Sequence, residues 1–268
     1  FNMYIKEISL SDFRNIQETT VKLNKGINIF YGSNANGKTN FLESIYLCST
    51  GRSHRTKNDK EMVRFGASQA HVKLFLENKS TIWRIDAHIH RNDKKGIAIN
   101  GIPLKKSSEL FGTLYTVIFS PEDLQLIKDA PSRRRRFVDI ELCQISKVYC
   151  HTLQQYMKVL KQRNNLLKEI QKNSSLKETL FAWDMQLAEY GKRILERRQQ
   201  FIEQVNEIIS DIHYRLTGGK ERICLSYESG TGGRSLEEAL KRNRDRDLRM
   251  KSTSVGPHRD DICFLSGD

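Results

Sequence analysis

The chain has little that would brace it from outside a packed core. Of its 268 residues only four are proline and two are tryptophan, and its five cysteines are odd in number. Cys48, Cys143, Cys150, Cys224 and Cys263 never fall in a C-x-x-C spacing, so neither a disulfide framework nor a zinc site is indicated. A reducing, cytoplasmic compartment is the expected home. No stretch approaches the ~18 consecutive apolar residues of a membrane-spanning helix, and no basic-then-apolar leader precedes the first strand-like segment, so neither membrane spanning nor secretion is expected. Internal repeats and low-complexity tracts are missing as well. Acid is the scarcer charge, with 32 Asp and Glu against 45 Lys and Arg for a net +13. A surplus of that size points to a polyanionic partner, of which nucleic acid is the commonest. A merely solvated basic surface is the plain alternative.

What the chain does carry is the octet Gly32-Ser33-Asn34-Ala35-Asn36-Gly37-Lys38-Thr39, which fits the phosphate-binding pattern G-x-x-x-x-G-K-[ST]. Residues 27–31 before it read as a buried strand, and Phe41, Leu42, Ile45, Tyr46 and Leu47 after it repeat at helical spacing. Glycines there let the backbone curl so that N–H groups face phosphate oxygens, and the helix N-terminus adds partial positive charge. Lys38 is the group expected to reach the β- and γ-phosphates, and Thr39 the hydroxyl that ligates magnesium. The expected ligand is a nucleoside triphosphate with Mg2+. A glycine turn with an incidental lysine is the structural alternative.

Residues 4–10, 19–23, 71–76, Thr81–His90 and 113–119 read as further strands, with a hairpin at Asn100-Gly101. Strands on both sides of one phosphate-binding helix predict a mixed α/β domain. At Ser120-Pro121-Glu122-Asp123 the character changes to helix, and a short one should run to about residue 128. Pro131 then opens a long helix presenting Val138, Leu142, Ile145, Tyr149, Leu153, Tyr156, Leu160, Leu167 and Ile170, with one seven-residue gap at Arg163. A second begins at the capping box Ser175-x-x-Glu178 and stops at Thr217-Gly218-Gly219. Two such helices joined by a few polar residues predict an antiparallel pair with an apolar seam. A strand at 223–227, a charged helix over 236–251 and an apolar stretch at 262–265 complete the pattern.

Four stretches together resemble the RecF family of bacterial recombination mediators: Phe13-Arg14-Asn15, the P-loop continued by Asn40, Ser120-Pro121-Glu122-Asp123-Leu124 with Arg133-Arg134-Arg135-Arg136-Phe137-Val138-Asp139, and Gly256-Pro257-His258-Arg259-Asp260-Asp261. The resemblance spans residue 4 to the end. It implies an ABC-type ATPase head lobe over 3–119, an inserted helical lid over 120–252 and a return strand into the head over 253–268. It further implies ATP with Mg2+, ATP-driven homodimerisation, DNA binding at single-strand gaps and stalled replication without sequence preference, RecO and RecR as partners, and help in loading RecA recombinase. Weak DNA-stimulated ATP hydrolysis is the implied activity. The ABC signature, the acidic Walker B strand and the switch histidine follow the Gly-Pro-His-Arg-Asp-Asp element in this family, and none lies within the 268 residues, so little or no hydrolysis by this chain is expected. No catalytic residue is assigned.

Arg14 is expected to reach the nucleotide phosphates, as in related heads, with a surface arginine as the alternative. Glu122 and Asp123 either neighbour the magnesium or cap a helix. His258-Arg259-Asp260-Asp261 reads as a general-base cluster or a hydrogen-bonded hinge. His88 and His90 share a strand face without a third ligand and read as exposed histidines. Arg133, Arg134, Arg135 and Arg136 open a helix whose dipole they oppose, so something anionic, or buried acids such as Asp139 and Glu141, must compensate. With Arg52, Arg55 and Lys57 they are the candidate DNA contacts, and Lys241, Arg242, Arg244, Arg246, Arg249 and Lys251 form another basic cluster. Such contacts predict salt-sensitive binding without sequence preference. No aromatic ladder for stacking is evident, so a duplex or junction is favoured over a single strand. A P-loop phosphotransferase acting on a small substrate is the alternative function, but it needs an acceptor site for which the basic helical pair is a poor candidate.

Overall fold

The computed structural model describes residues 3–78 and 81–267, with the Glu122 side chain outside the described set. The chain divides into two compact units at the Phe119/Ser120 boundary.

The first unit is built on a six-stranded antiparallel sheet in the order β2-β1-β3-β4-β5-β6. Its strands are β1 (Met3–Phe13), β2 (Ile16–Lys22), β3 (Gln69–Asn78), β4 (Thr81–His90), β5 (Gly96–Ile99) and β6 (Ile102–Pro103). Ile8 and Leu10, Val72, Leu74 and Leu76, and Ile85, Ala87 and Ile89 alternate along β1, β3 and β4, so a period of two puts all of them on one buried face. Helix α1 (Lys38–Thr50) covers that face, with Phe41 and Leu47 in the same core cluster. The Asn100-Gly101 hairpin forms as expected, with positive φ at both residues.

Two expected strands are absent. Residues 27–31 and 113–119 carry no ladder pairing, and Ile27, Ile29, Tyr31, Val117 and Phe119 are all more than three-quarters exposed. An apolar run becomes a strand only when a neighbouring strand takes its N–H and C=O groups, and no described strand pairs with either run.

The second unit carries α2 (Gln125–Lys128), α3 (Pro131–Ile145), α4 (Lys147–Ile170), α5 (Leu180–Leu216), β7 (Arg222–Glu228), α6 (Leu236–Arg242), α7 (Arg244–Met250) and β8 (Asp261–Gly267). The helix expected from Pro131 to Ile170 is two helices. Ser146 between them is extended, and its hydroxyl accepts the Tyr149 N–H at 3.1 Å, so the serine caps α4 instead of continuing α3. The expected capping box at Ser175 is replaced by a 3-10 turn, Ser174–Thr179, in which Asn173 accepts the Ser175 N–H. The single charged helix over 236–251 breaks at Asn243 into α6 and α7. The stretch expected to return toward the head, β8, pairs antiparallel with β7 in a two-stranded sheet.

Helices α4 and α5 form the expected pair, and Tyr156, Leu160, Leu167, Ile170, Leu180, Leu187 and Ile194 are buried on it. The gap in the apolar pattern at Arg163 is filled by the arginine itself, which is fully buried. Its guanidinium donates to Asp184 at 2.7 Å and to Asp247 and Thr253 at 2.8 Å each, while Arg244 takes the other oxygen of Asp184 at 2.8 Å. A second buried arginine, Arg198 on α5, donates to Asp139 at 2.8 Å and to the Pro257 carbonyl at 2.7 Å. These two cations pin α3, α7 and the 253–257 segment to the long pair. Gly191 on α5 is required where the helix is crossed, because an added Cβ would lie 2.2 Å from the Leu236 side chain.

Candidate nucleotide-binding site

The loop from Gly32 to Gly37 leads directly into α1, with Gly37 as the helix N-cap at φ 87°. Gly32 and Ala35 also have positive φ, at 136° and 66°. Glycine is needed at position 37 on two grounds, since a Cβ there would sit 3.0 Å from both Asn15 Oδ1 and Ile16 Cγ1 in addition to the φ penalty. The hairpin turn between β1 and β2 thus lies directly against the loop. Asn15 donates to the Ala35 carbonyl and accepts from Asn40 Nδ2 at 2.7 Å. Lys38 Nζ reaches back to the carbonyls of Gly32 and Ser33 at 2.8 and 2.7 Å. Ser33, Asn34, Asn36 and the Thr39 side chain in the first turn of α1 are at least partly exposed. No acid occupies that first turn, so the positive end of the helix dipole is left for an external anion.

Arg14 stands beside this loop but is held by another group. Its guanidinium makes a two-pronged pair with Glu43 at 2.6 and 2.9 Å and donates to the Glu61 carbonyl at 2.7 Å. Glu43, on α1, is fully buried and also accepts from Ser53 at 2.5 Å, with Arg55 3.4 Å away. Burial alone would raise its pKa, but the hydrogen bonds from Arg14 and Ser53 and the charges of Arg14 and Arg55 outweigh that and hold it below the ordinary carboxylate range. Arg55 closes the circuit through Asn40 Oδ1 at 2.7 Å. Sequence patterning does not single out Glu43, Ser53 and Arg55 as supports of the loop. The one signal is Glu43 itself, a charge at the first position of the i, i+4, i+7 face that continues with the buried Leu47 and Thr50.

The candidate DNA contacts separate. Arg52 and Lys57 are exposed, whereas Arg55 is tied to the P-loop helix. In α3, Arg133 pairs with Asp129 at 2.9 Å, Arg134 forms a two-pronged pair with Asp261 at 2.9 Å, Arg135 donates to the Asp260 carbonyl, and Arg136 is half-buried. Arg134 also caps the Asp129 carbonyl at 2.7 Å. Acids thus compensate Arg133 and Arg134, but they are Asp129 and Asp261 and not the expected Asp139 and Glu141, since Asp139 pairs with Arg198 and Glu141 accepts from Gln144.

Asp123 accepts from the Ser120 N–H at 2.7 Å, a capping contact. His258 is neutral and fixed, accepting from the Tyr156 hydroxyl at Nδ1 (2.6 Å) and donating from Nε2 to the Thr253 carbonyl (3.2 Å). Burial pushes its pKa down to about 4. Asp260 is buried and accepts from Tyr227 and the Gly230 N–H. With both ring nitrogens engaged, this cluster is a polar joint rather than a general-base site. His88 stacks on His71 with ring centroids 3.8 Å apart, and no group of three potential metal ligands occurs among the described residues. No described helix is long and apolar enough to cross a membrane.

A P-loop heading one helix, set under an antiparallel sheet and joined to a unit carrying a long helical pair, defines an α/β ABC-type ATPase head lobe with an inserted helical domain. A family model described as "AAA domain" matches residues 7–217. The DNA replication and repair protein RecF of Lachnospira eligens is 50% identical over 268 residues, covering 99% of this chain and 74% of its own, and that of Agathobacter rectalis is 49% identical over 262 residues, covering 98% and 72%. The chain belongs to the RecF family of DNA replication and repair proteins. Two solved structures of the recombination mediator RecF, one with ATP, align over 99% of this chain and 74% of theirs at 36% identity, with TM-scores of 0.93 and 0.88. An Smc head bound to the winged-helix domain of ScpA, 16% identical with TM-score 0.53, shares the fold.

Proposed function

We propose that this chain is the nucleotide-binding part of a DNA recombination and repair protein in which ATP, held with Mg2+ at the P-loop, governs assembly on DNA. The observation that carries the reading is the cradle itself: Gly37 at φ 87° where a Cβ would crowd Asn15 and Ile16, positive φ at Gly32 and Ala35 as well, and an acid-free helix start with Lys38 and Thr39 on it. Residues 32–40 would hold the triphosphate, Lys38 exchanging the Gly32 and Ser33 carbonyls for phosphate oxygens. Thr39 would ligate magnesium, which when bound shields the phosphate charge. Arg14, next in sequence to the loop-bound Asn15, would join the site once its fork is released from Glu43.

Bound nucleotide acts here as a ligand favouring one assembled state, and it shifts the equilibrium by its differential affinity for the two states. Homodimerisation with ATP, action at gapped or junction DNA, engagement of RecO and RecR, and help in loading RecA recombinase complete the proposal. It is supported by family membership, by the RecF–ATP relative and by the +13 charge. Catalysis is assigned to no described residue.

The test is duplex-DNA binding by fluorescence anisotropy with and without Mg-ATP, for the wild type and Lys38→Ala. ATP should tighten binding of the wild type and leave the variant unaffected, while the α4–α5 helical signal persists in both. ATP-stimulated DNA binding that survives in Lys38→Ala would contradict the reading.

A further inference from the structure

We infer that the outer face made by α7 and the adjoining stripe of α4 is a docking surface for the phosphodiester backbone of duplex nucleic acid. This rests on the DNA-binding reading above and assigns that function a place. Charge on this part of the second unit is sorted by depth. Asp247 and Asp184 point inward, where Arg163 and Arg244 neutralise them. That leaves Arg246, Arg249 and Lys251 exposed, with Asp245 the exposed acid among them. Among the described residues none of these three cations meets a carboxylate within ion-pair distance, in contrast to Arg133 and Arg134.

The stripe continues onto α4. Asn164 takes the Thr253 N–H at 2.8 Å, and Gln171 donates to the Leu248 carbonyl at 3.0 Å, so the 248–253 segment runs along that side of the helix. Lys161 and Lys168 lie three or four residues from these two positions, which on a helix makes them surface neighbours. Both are exposed and unpaired among the described residues. The interval from Lys161 to Lys168 spans about 10 Å of helix axis, or about three base pairs of duplex at 3.4 Å each. Two carboxylates turned inward leave five outward cations against the exposed acids Asp245 and Glu169, a net positive surface that attracts a regular polyanion. With no aromatic side chain among those five positions, it holds phosphates rather than stacking on bases.

The experiment is a salt titration of a labelled 30-base-pair duplex on the wild type, on Lys168→Gln/Arg246→Gln/Arg249→Gln, and on Lys161→Gln/Lys168→Gln, which leaves α7 untouched should the first variant fold poorly. Every phosphate that a variant no longer neutralises should make the log–log slope shallower by about 0.9, so the slope should fall by up to about 2.7 in the triple variant and up to about 1.8 in the double. Arg133→Gln should leave the slope unchanged, and nucleotide affinity should be the same in all. A salt-dependent wild type whose slope is retained in both variants overturns this surface and leaves DNA binding intact. A wild type with no duplex binding at low salt sinks both readings, and tighter binding to a single strand of equal length overturns the duplex assignment.

Discussion

Glu43 shows how much one side chain can organise at the residue scale. It is a fully buried carboxylate on the P-loop helix that holds Arg14, Arg55 and Ser53, and through Arg55 and Asn40 it reaches Asn15 and the loop carbonyl of Ala35. Removing one member of a buried charge pair leaves the other uncompensated, which costs about 3 kcal/mol. Glu43→Gln should therefore lower the urea unfolding free energy of the first unit by about that amount, with the P-loop less ordered as a result. A change within about 0.5 kcal/mol would place Glu43 among ordinary surface substitutions and remove its role in the network. Arg14 is legible in the sequence but its partner is not, because the two are separated by 29 positions and only the fold brings the hairpin turn to α1.

Elements show a different division between what is legible and what is not. The helical pair is readable from apolar residues at three- and four-residue steps, since that period is set within one segment. Arg163 shows in the sequence only as an interruption, and its meaning depends on Asp184 and Asp247, which come from elsewhere in the chain. Residues 27–31 and 113–119 have the composition of strands but no ladder partner among the described residues, and composition cannot report a partner. The arginine run at 133–136 looks like a polyanion site because its helix position is unfavourable, and the fold shows what the sequence does not, that Arg133 and Arg134 pair with Asp129 and Asp261 while Arg135 meets a backbone carbonyl of Asp260. The central arginine is testable in the same terms. Arg163→Met leaves Asp184 with Arg244 alone and Asp247 without a cation, so the second unit should lose about 3–5 kcal/mol. Replacing Asp247 by Asn in addition should recover part of that loss, as measured by chemical denaturation followed by circular dichroism. An Arg163→Met chain as stable as the wild type would mean that the buried ion group is dispensable.

For the whole molecule, the two units divide the work by charge and shape. The first offers a phosphate cradle at a helix start and the second a long helical pair whose inward acids leave cations outside. Family membership is legible in four motifs spread across the chain and is carried by relatives about half identical over nearly all of it. The relatives are longer, this chain covering 72–74% of their length. What ties the account together is a triphosphate seated on residues 32–40. Titration calorimetry with Mg-ATP on the wild type and Lys38→Ala measures this directly. The account predicts saturable heat for the wild type and its loss in the variant, with both chains equally folded. No heat from the wild type at saturating nucleotide, or equal heat from both chains, would contradict it.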